Sequence, residues 1–474
     1  MNIIKKIGII FATVFTLALS AYEMGDFVRD VKIKPMDFSF PQLQKEMLSD
    51  GTEILALPSS EFPIVYAEFH IYYGRKNIGK RKTEIVRLLE DSWEFSGTKS
   101  FPKDMLLQEF EKLGATFSLS LDYERTVISL SYLKKDEKRV IELLTSFWTE
   151  SQLDEDVIVT MRGRIADEIK RRNDNPTSLG MRKIKERVLK DTILAKVSSL
   201  DGLNAVTSSE LKQFQNEILA EKKRILLLTG DAEISNWKKY LSNLKIGSTE
   251  LQLPEEFGSD LLTKNISEYK SKHLLIEKDV SQAFVVMMGN LPKHNDPDFY
   301  AIQVLNYIIG GGGFNSYYMR EIRNNRGLAY SAGSAADFQK GYGILHFYAM
   351  TKTESVPEVL KLMQELIQID FISKLKDDEL TRAKVAITNQ FVFLFADNKK
   401  VLQNELRFRD HEMPKEYLEH FRENIDKVTL DDLKRVGKKY FDPANLSILV
   451  VGPKGLETTL GKQFKLIQPE DSAL

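Results

Sequence analysis

Residues 62–74, FPIVYAEFHIYYG, alternate between apolar and polar positions and are rich in aromatic and β-branched side chains. That pattern predicts a strand. Just before it, MLSDGTEILALP reads as a hairpin, because Asp50-Gly51 is a strong turn pair between two apolar runs. The period then changes. Leu106, Leu107, Phe110 and Leu113 share one helical face, and Gly114 stops that helix. Residues 115–133 predict a strand pair. Val140, Leu143, Leu144, Phe147 and Trp148 mark a second helix; Val157, Ile158, Met161, Ile165 and Ile169 mark a long third one. RILLLTGD (224–231) predicts a buried strand that ends in a glycine turn.

The same order then returns. SQAFVVMMGNLP predicts a strand, DFYAIQVLNYIIGGGG a helix ending in glycines, and GLAYSAGSAADFQKGYGILHFYAMT a strand pair. A long helix is expected over about 376–395, and LSILVVGP closes the series as a strand. KLGATFSLS (112–120) aligns with NRGLAYSAG (325–333), and SELKQFQNEILAEKKRILLLTGD with DDLKRVGKKYFDPANLSILVVGP. Gly114 and Gly230 are 116 residues apart, Gly327 and Gly452 125. The chain therefore reads as an internal duplication, two domains of one fold and about 200 residues each. Strands interspersed with helical blocks predict the α+β class, each domain a mainly antiparallel sheet with helices packed on it. The expected domains are 40–250 and 276–460, with the polar, aperiodic stretch 251–275 as linker.

Composition adds bounds. The 474 residues are 42% hydrophobic and 28% charged, a normal globular balance. A net charge of -1 leaves no electrostatic footprint for nucleic acid. The basic run Arg75, Lys76, Lys80, Arg81, Lys82 reads as a solvated loop. Residues 1–21 resemble a secretory signal: Lys5 and Lys6 precede an apolar run, Ile7 to Leu19, and small residues follow. The run is short beside the roughly 20 residues of a membrane span. Membrane attachment is expected only if the signal is retained as an anchor. Export with no Cys excludes a disulfide framework, and a bacterial periplasm, or secretion, is the expected location.

The candidate chemistry lies in Gly310-Gly311-Gly312-Gly313-Phe314-Asn315-Ser316. The glycines lead into a short helix that ends at Arg323, and Tyr330, seven residues on, opens a strand. This can aim a cation and a phenol at one point, where a peptide carbonyl and the oxyanion derived from it could be held. Arg323 and Tyr330 are the catalytic candidates; Gly311, Gly312, Gly313 and Phe314 are substrate-binding candidates, since glycines let a peptide backbone approach closely. The plainer alternative is a structural helix-end Arg and a half-buried strand Tyr. No Lys-Ser/Thr follows the glycines, so they are not a phosphate loop. The six His residues include no H-x-x-x-H pair, and HEMPK (411–415) lacks a second His, so no metal site is expected. Phe391, Phe393 and Phe395 are expected to pack in the core. The strand after Gly327 could accept an extended peptide as an added strand.

These stretches resemble the pitrilysin/insulinase-type zinc metallopeptidases, in particular the processing-peptidase-like branch. DGTEILALPSSEFPIVYAEFHIYYG, LEDSWEFSGTKSFP, EKLGATFSLSLDYERTVIS, DPDFYAIQVLNYIIGGGGFNSYYMREIRNNRGLAYSAGS and VTLDDLKRVGKKYFDPANLSILVVG carry the resemblance, over roughly residues 40 to 460. It implies two similar domains that close as a clamshell on an unfolded peptide. In a catalytic chain the first domain holds H-x-x-E-H and a distal Glu, and the second holds an Arg/Tyr pair. Counting from Gly97-Thr98, the two His positions fall on Leu88 and Ser92, the catalytic Glu on Asp91, and the distal Glu on Glu168. Without imidazoles a His₂Glu zinc site cannot form, and Asp91 alone cannot activate water. Arg323 and Tyr330 match the Arg/Tyr pair, while Tyr317 stands where the family often has an Arg. The resemblance implies a zinc-free subunit with no cofactor of its own, whose partner chain carries H-x-x-E-H and the zinc. Its substrates would be unfolded or short peptides. A non-enzymatic peptide-binding or scaffold protein of the same fold is the alternative.

Overall fold

The structure, a computed structural model, describes residues 41–244, 249, 257–269 and 272–471. The expected signal segment, 1–21, lies outside them. Two six-stranded sheets organise the described residues. The first contains β1 (Gln44–Met47), β2 (Thr52–Pro58), β3 (Ile64–Ile71), β4 (Thr116–Leu121), β5 (Thr126–Leu133) and β6 (Arg224–Gly230), in the order β1-β2-β6-β3-β5-β4. The second contains β7 (His273–Glu277), β8 (Ala283–Leu291), β9 (Ala329–Phe338), β10 (Gly343–Thr351), β11 (Ser447–Gly452) and β12 (Phe464–Ile467), in the order β12-β7-β11-β8-β10-β9. From β2 to β4 and from β7 to β9 the order and directions are identical. β2–β6 and β7–β11 pair in parallel, and the remaining inner pairs are antiparallel. The duplication read from sequence is thus a duplication of topology. The outermost strands break it, because β1 runs antiparallel to β2 whereas β12 runs parallel to β7.

Seven helices matter for the site and for how the halves meet: α1 (Ile85–Ser96), α2 (Glu155–Arg171), α3 (Pro176–Val188), α4 (Ser259–Glu268), α5 (Phe299–Asn306), α6 (Asp377–Phe391) and α7 (Asn398–Asp410). Each half has its own apolar core between sheet and helices. Two helices cross over. α3, from the first half, lays Leu179, Ile184 and Val188 on the second sheet against Phe284, Val286 and Val451. α7, from the second half, lays Leu402 and Leu406 on the first sheet against Leu55, Ile225 and Leu227. Ions join the α7 contact at its margins: Glu68 with Lys399 at 3.0 Å, Glu53 with Arg409 at 2.8 Å and Arg125 with Asp410 at 2.6 Å.

Three sequence readings need correction. The stretch expected as a linker, 251–275, contains α4 and the start of β7 among its described residues. Leu262 and Ile266 of α4 are buried, and the Asn265 amide donates to the carbonyls of Val188 and Lys190 at the end of α3. A polar residue there caps a helix end rather than facing water. Phe395 is buried and Phe391 stacks on Phe421, but Phe393 is exposed, because a 3-10 turn over Val392–Phe395 rotates it off the buried face. The basic run is not simply solvated: Arg75 donates to Thr83 and to the carbonyls of Ile193 and Lys196, and Arg81 pairs with Glu217 at 2.5 Å. No helix among the described residues is long and apolar enough to cross a membrane.

Candidate functional site

α5 is apolar on nearly every face and ends by widening. The Gly312 N–H donates to the Tyr307 carbonyl, five residues back, at 2.9 Å. Such π-type turns are uncommon and concentrate at functional sites. Glycine is needed at this point. A Cβ on Gly310 would stand 2.6 Å from the backbone nitrogen of Ser334 in β9, and Gly313 has a φ of +58°. The glycines therefore let the helix end lie against the sheet and let the chain turn sharply outward.

A single turn over Gly313–Asn315 puts Phe314 at the surface, 69% exposed. The Ser316 hydroxyl then closes on the Gly313 carbonyl at 2.7 Å, and a short helix begins. Its inner face is anchored by Ile322 and by Tyr318, whose hydroxyl donates to the Met363 carbonyl at 2.6 Å. It too ends in a π-type turn, with the Asn325 N–H on the Arg320 carbonyl at 2.8 Å. Gly327, at φ +64°, reverses the chain into β9. Tyr330 is the second residue of that strand and is 70% exposed.

These turns converge three side chains. The Arg323 guanidinium carbon lies 5.4 Å from the Phe314 ring and 5.4 Å from the Tyr330 ring. Cation–π attraction at that separation contributes about 0.5–1 kcal/mol at an exposed site. Among the described residues, neither the Arg323 guanidinium nor the Tyr330 hydroxyl has a hydrogen-bond or ion-pair partner. The aromatic rings hold the cation in place and leave its N–H donors unused. The spacing read from sequence brings these residues together; the contribution of Phe314 as the second ring does not follow from spacing.

At the metal-motif position the chemistry differs. Leu88 and Ser92, on one face of α1, are fully buried. Asp91 is engaged by Arg87, Nε to Oδ2 at 3.1 Å, and burial raises its carboxyl above the usual range. Glu168, on α2, is exposed and faces Arg164 at 3.6 Å. A zinc site needs three or four imidazole, thiolate or carboxylate donors converging on one point. These four positions supply no imidazole, and both carboxylates already face a guanidinium. Nowhere among the described residues do three His, Cys, Asp or Glu side chains converge as metal ligands. Beside α1, a cavity of about 710 Å³ is bordered by Arg87, Glu90, Glu168, Arg172 and Arg182. Burial pushes Glu94 up to about 7, and the neighbouring Glu90 and Asp91 charges push the same way. Sequence reasoning missed this crowding, although Glu90, Asp91 and Glu94 stand within one helical turn.

Comparison with known proteins bears on the family and the fold. Residues 89–198 match the family model described as insulinase, peptidase family M16, and residues 205–387 match the one described as peptidase M16 inactive domain. An uncharacterized zinc protease of Rickettsia felis is 24% identical over 377 residues, covering 76% of this chain and 86% of that protein. A Helicobacter pylori protein named non-peptidase homolog YmxG is 23% identical over 336 residues, 67% of this chain and 76% of its own length. A structure of a peptidase M16 inactive domain from Pseudomonas fluorescens superposes with a TM-score of 0.73 at 20% identity, over 87% of this chain and 99% of that one. The periplasmic protease PqqL of Escherichia coli superposes with a TM-score of 0.69 at 13% identity, over 90% of this chain but 47% of its own. The repeated six-stranded topology and these matches place the chain in the insulinase-type M16 peptidase family, with residues 205–387 matching its M16 inactive domain.

Proposed function

We propose that this chain is the zinc-free subunit of a two-chain M16 peptidase, acting on unfolded or short peptides, with zinc and general base supplied by a homologous partner carrying H-x-x-E-H. The observation that carries the reading is the contrast between the two sites. Arg323 and Tyr330 converge with their donors unengaged, while the residues at the metal position are closed by Arg87–Asp91 and Arg164–Glu168 pairs. In this role Tyr330 donates a neutral O–H to the scissile carbonyl. Arg323 presents a fork of N–H donors to the peptide backbone and to the oxyanion as charge develops. Each such donor is worth about 2.7–4 kcal/mol of transition-state stabilisation, or 10²–10³ in rate. The glycines 311–313 give the peptide backbone room beside the pair. Export to the periplasm, by a signal over 1–21, belongs to the same proposal, as does the division into domains of residues 40–250 and 276–460 with α4 between them in sequence.

The experiment is reconstitution. Peptide hydrolysis by a candidate H-x-x-E-H partner is measured with and without this chain. Activity confined to the mixture, and lowered at least a hundredfold by Tyr330→Phe, supports the proposal. Equal activity with and without this chain refutes it. That outcome would favour a peptide-binding or scaffold protein, a reading that the two exposed rings of Phe314 and Tyr330 also support.

A further inference from the structure

The first turn of α5, away from the glycines at its end, borders a cavity of about 270 Å³. Phe299, Phe338, Phe391, Phe408, Tyr417 and Phe421 wall it. They come from α5, β9, α6, α7 and an eighth helix, α8 (Tyr417–Lys427). The rings already pack on one another. Phe299 meets Phe338 edge-on at 4.8 Å between centroids, Phe408 meets Tyr417 at 4.8 Å, and Phe391 stacks on Phe421 at 4.0 Å. All but Phe391 are buried, so the core fixes the walls. A planar ring placed here meets further ring edges and faces, which corresponds to about two- to tenfold in affinity beyond the area it buries.

Several polar groups on the same wall are unengaged. Among the described residues, the Arg407 guanidinium has no hydrogen-bond or ion-pair partner, and neither do the Tyr417 hydroxyl and the side-chain amides of Gln303 and Gln390. The Arg407 charge acts on both the His294 ring and the Tyr417 phenol, which puts it beside the aromatic walls. Burial raises the Tyr417 phenol, so it stays a neutral donor. Asp337 is the carboxylate on this wall; it is 60% exposed and faces His346 at 3.7 Å, which leaves Arg407 uncompensated. An incoming ammonium would meet Arg407 as a like charge. A neutral hydrocarbon would leave the guanidinium and the hydroxyl unused. A carboxylate uses both, and a guanidinium offers it a planar fork of donors. The volume falls just below the roughly 300–1,000 Å³ of drug-sized ligand sites, so it suits one ring system and its acid group.

We propose that this cavity binds a small aromatic carboxylic acid, with its ring among Phe299, Phe338, Phe408 and Phe421 and its carboxylate on Arg407 and the Tyr417 hydroxyl. None of these residues belongs to the Arg323 site, so the proposal is independent of the function proposed for that pair.

The test is isothermal titration calorimetry on the full chain at pH 7.5, with phenylacetate, phenylacetamide, cyclohexylacetate and phenethylamine as probes. Phenylacetate should bind with a Kd below about 1 mM. Phenylacetamide, which lacks the charge, should bind about tenfold more weakly. Cyclohexylacetate, which lacks the aromatic ring, should be about two- to tenfold weaker. Phenethylamine, with the opposite charge, should be the weakest of the four. Arg407→Gln, at an exposed position that folding does not depend on, should bring phenylacetate down to the level of phenylacetamide. Tyr417→Phe keeps the ring, removes a hydroxyl with no protein partner, and should also weaken phenylacetate. Equal affinity for phenylacetate and phenylacetamide overturns the proposal, as does a phenylacetate affinity that neither variant moves. Cyclohexylacetate binding as tightly as phenylacetate overturns the assignment of an aromatic acid. Absence of binding by every probe at millimolar concentration overturns the site itself.

Discussion

A Cβ placed on Gly180 would stand 2.6 Å from Cδ1 of Phe284 and 3.2 Å from Cγ2 of Val451. Both neighbours are buried in the second sheet, so α3 reaches that sheet only because this helical position has no side chain. Gly→Ala inside a helix ordinarily gains about 1 kcal/mol. Here the crowding of a packed interface outweighs that gain, and Gly180→Ala is expected to lower stability by about 1–3 kcal/mol. Gly163, in α2, faces open space, so Gly163→Ala should raise stability by about 0.5–1 kcal/mol. Urea unfolding of the two variants decides the matter. The same sign for both would mean that α3 does not rest on Phe284 as described.

At the other crossing, Asp410 joins the halves. Its carboxylate accepts from the Tyr72 hydroxyl at 2.5 Å and pairs with Arg125 at 2.6 Å. Arg125 also lies over the Tyr72 ring at 5.2 Å. Asp410→Ala leaves a largely buried guanidinium and a buried phenol without their acceptor. Breaking a fully buried pair costs about 3–5 kcal/mol, and partial exposure of these groups reduces that to about 2–3 kcal/mol. Asp410→Asn, which keeps an acceptor for Tyr72, should recover part of the loss. The thermal midpoints of the two variants measure this, and an Asp410→Ala midpoint equal to wild type would show that the crossing does not depend on the ion pair.

The Arg323 site should behave in the opposite way. Its polar atoms have no partners among the described residues, and Tyr330 is 70% exposed. Tyr330→Phe and Arg323→Ala are therefore expected to stay within about 0.5 kcal/mol of wild-type stability. Both should nevertheless weaken peptide handling by the two-chain peptidase proposed above. Denaturation and peptide assays on the same preparations separate the two effects. A loss of stability above about 1 kcal/mol in either variant would instead mark the pair as structural.

Local pattern made the strands legible. β3, β5 and β8 combine alternation or apolar runs with clear turn residues, and Gly51, Gly114 and Gly327 all take positive φ where the sequence places stops. The convergence of Arg323 on Tyr330 was legible too, since a short helix and the next strand separate them by few residues. The crossings were not. Sequence alone assigns α7 no partner, yet Glu68 and Glu53 on the first sheet and Arg125 in the turn before β5 receive its charged residues. Asn265 looks like linker composition because its partners, the carbonyls of Val188 and Lys190, lie about 75 residues earlier. Single-sequence reasoning sees periods and turns; it does not see which distant element supplies a buried polar group with its partner.

The Nδ1 atoms of His294 and His411 lie 2.7 Å apart, so one ring must donate and the other accept. The two rings cannot both be protonated at that nitrogen, since two N–H groups cannot share the space. Burial pushes His294 down to about 3, with the His411 and Arg407 charges adding, and pushes His411 down to about 4, with Arg407 adding. In the unfolded chain each His titrates near 6.5. The folded values are lowered, so between about 4 and 6.5 the unfolded chain binds more protons. The stability these residues contribute is complete above about pH 6.5 and is lost as pH falls toward 4. Each contributes at most about 1.4 kcal/mol per pH unit, and His411, being partly exposed, contributes less. Denaturant unfolding of wild type and of His294→Gln/His411→Gln at pH 7.5, 6.5 and 5.5 tests this. Wild type should lose about 1–2 kcal/mol more than the double variant between the first and last of these. Parallel pH profiles would mean that the two imidazoles titrate in the folded chain as they do in the unfolded one.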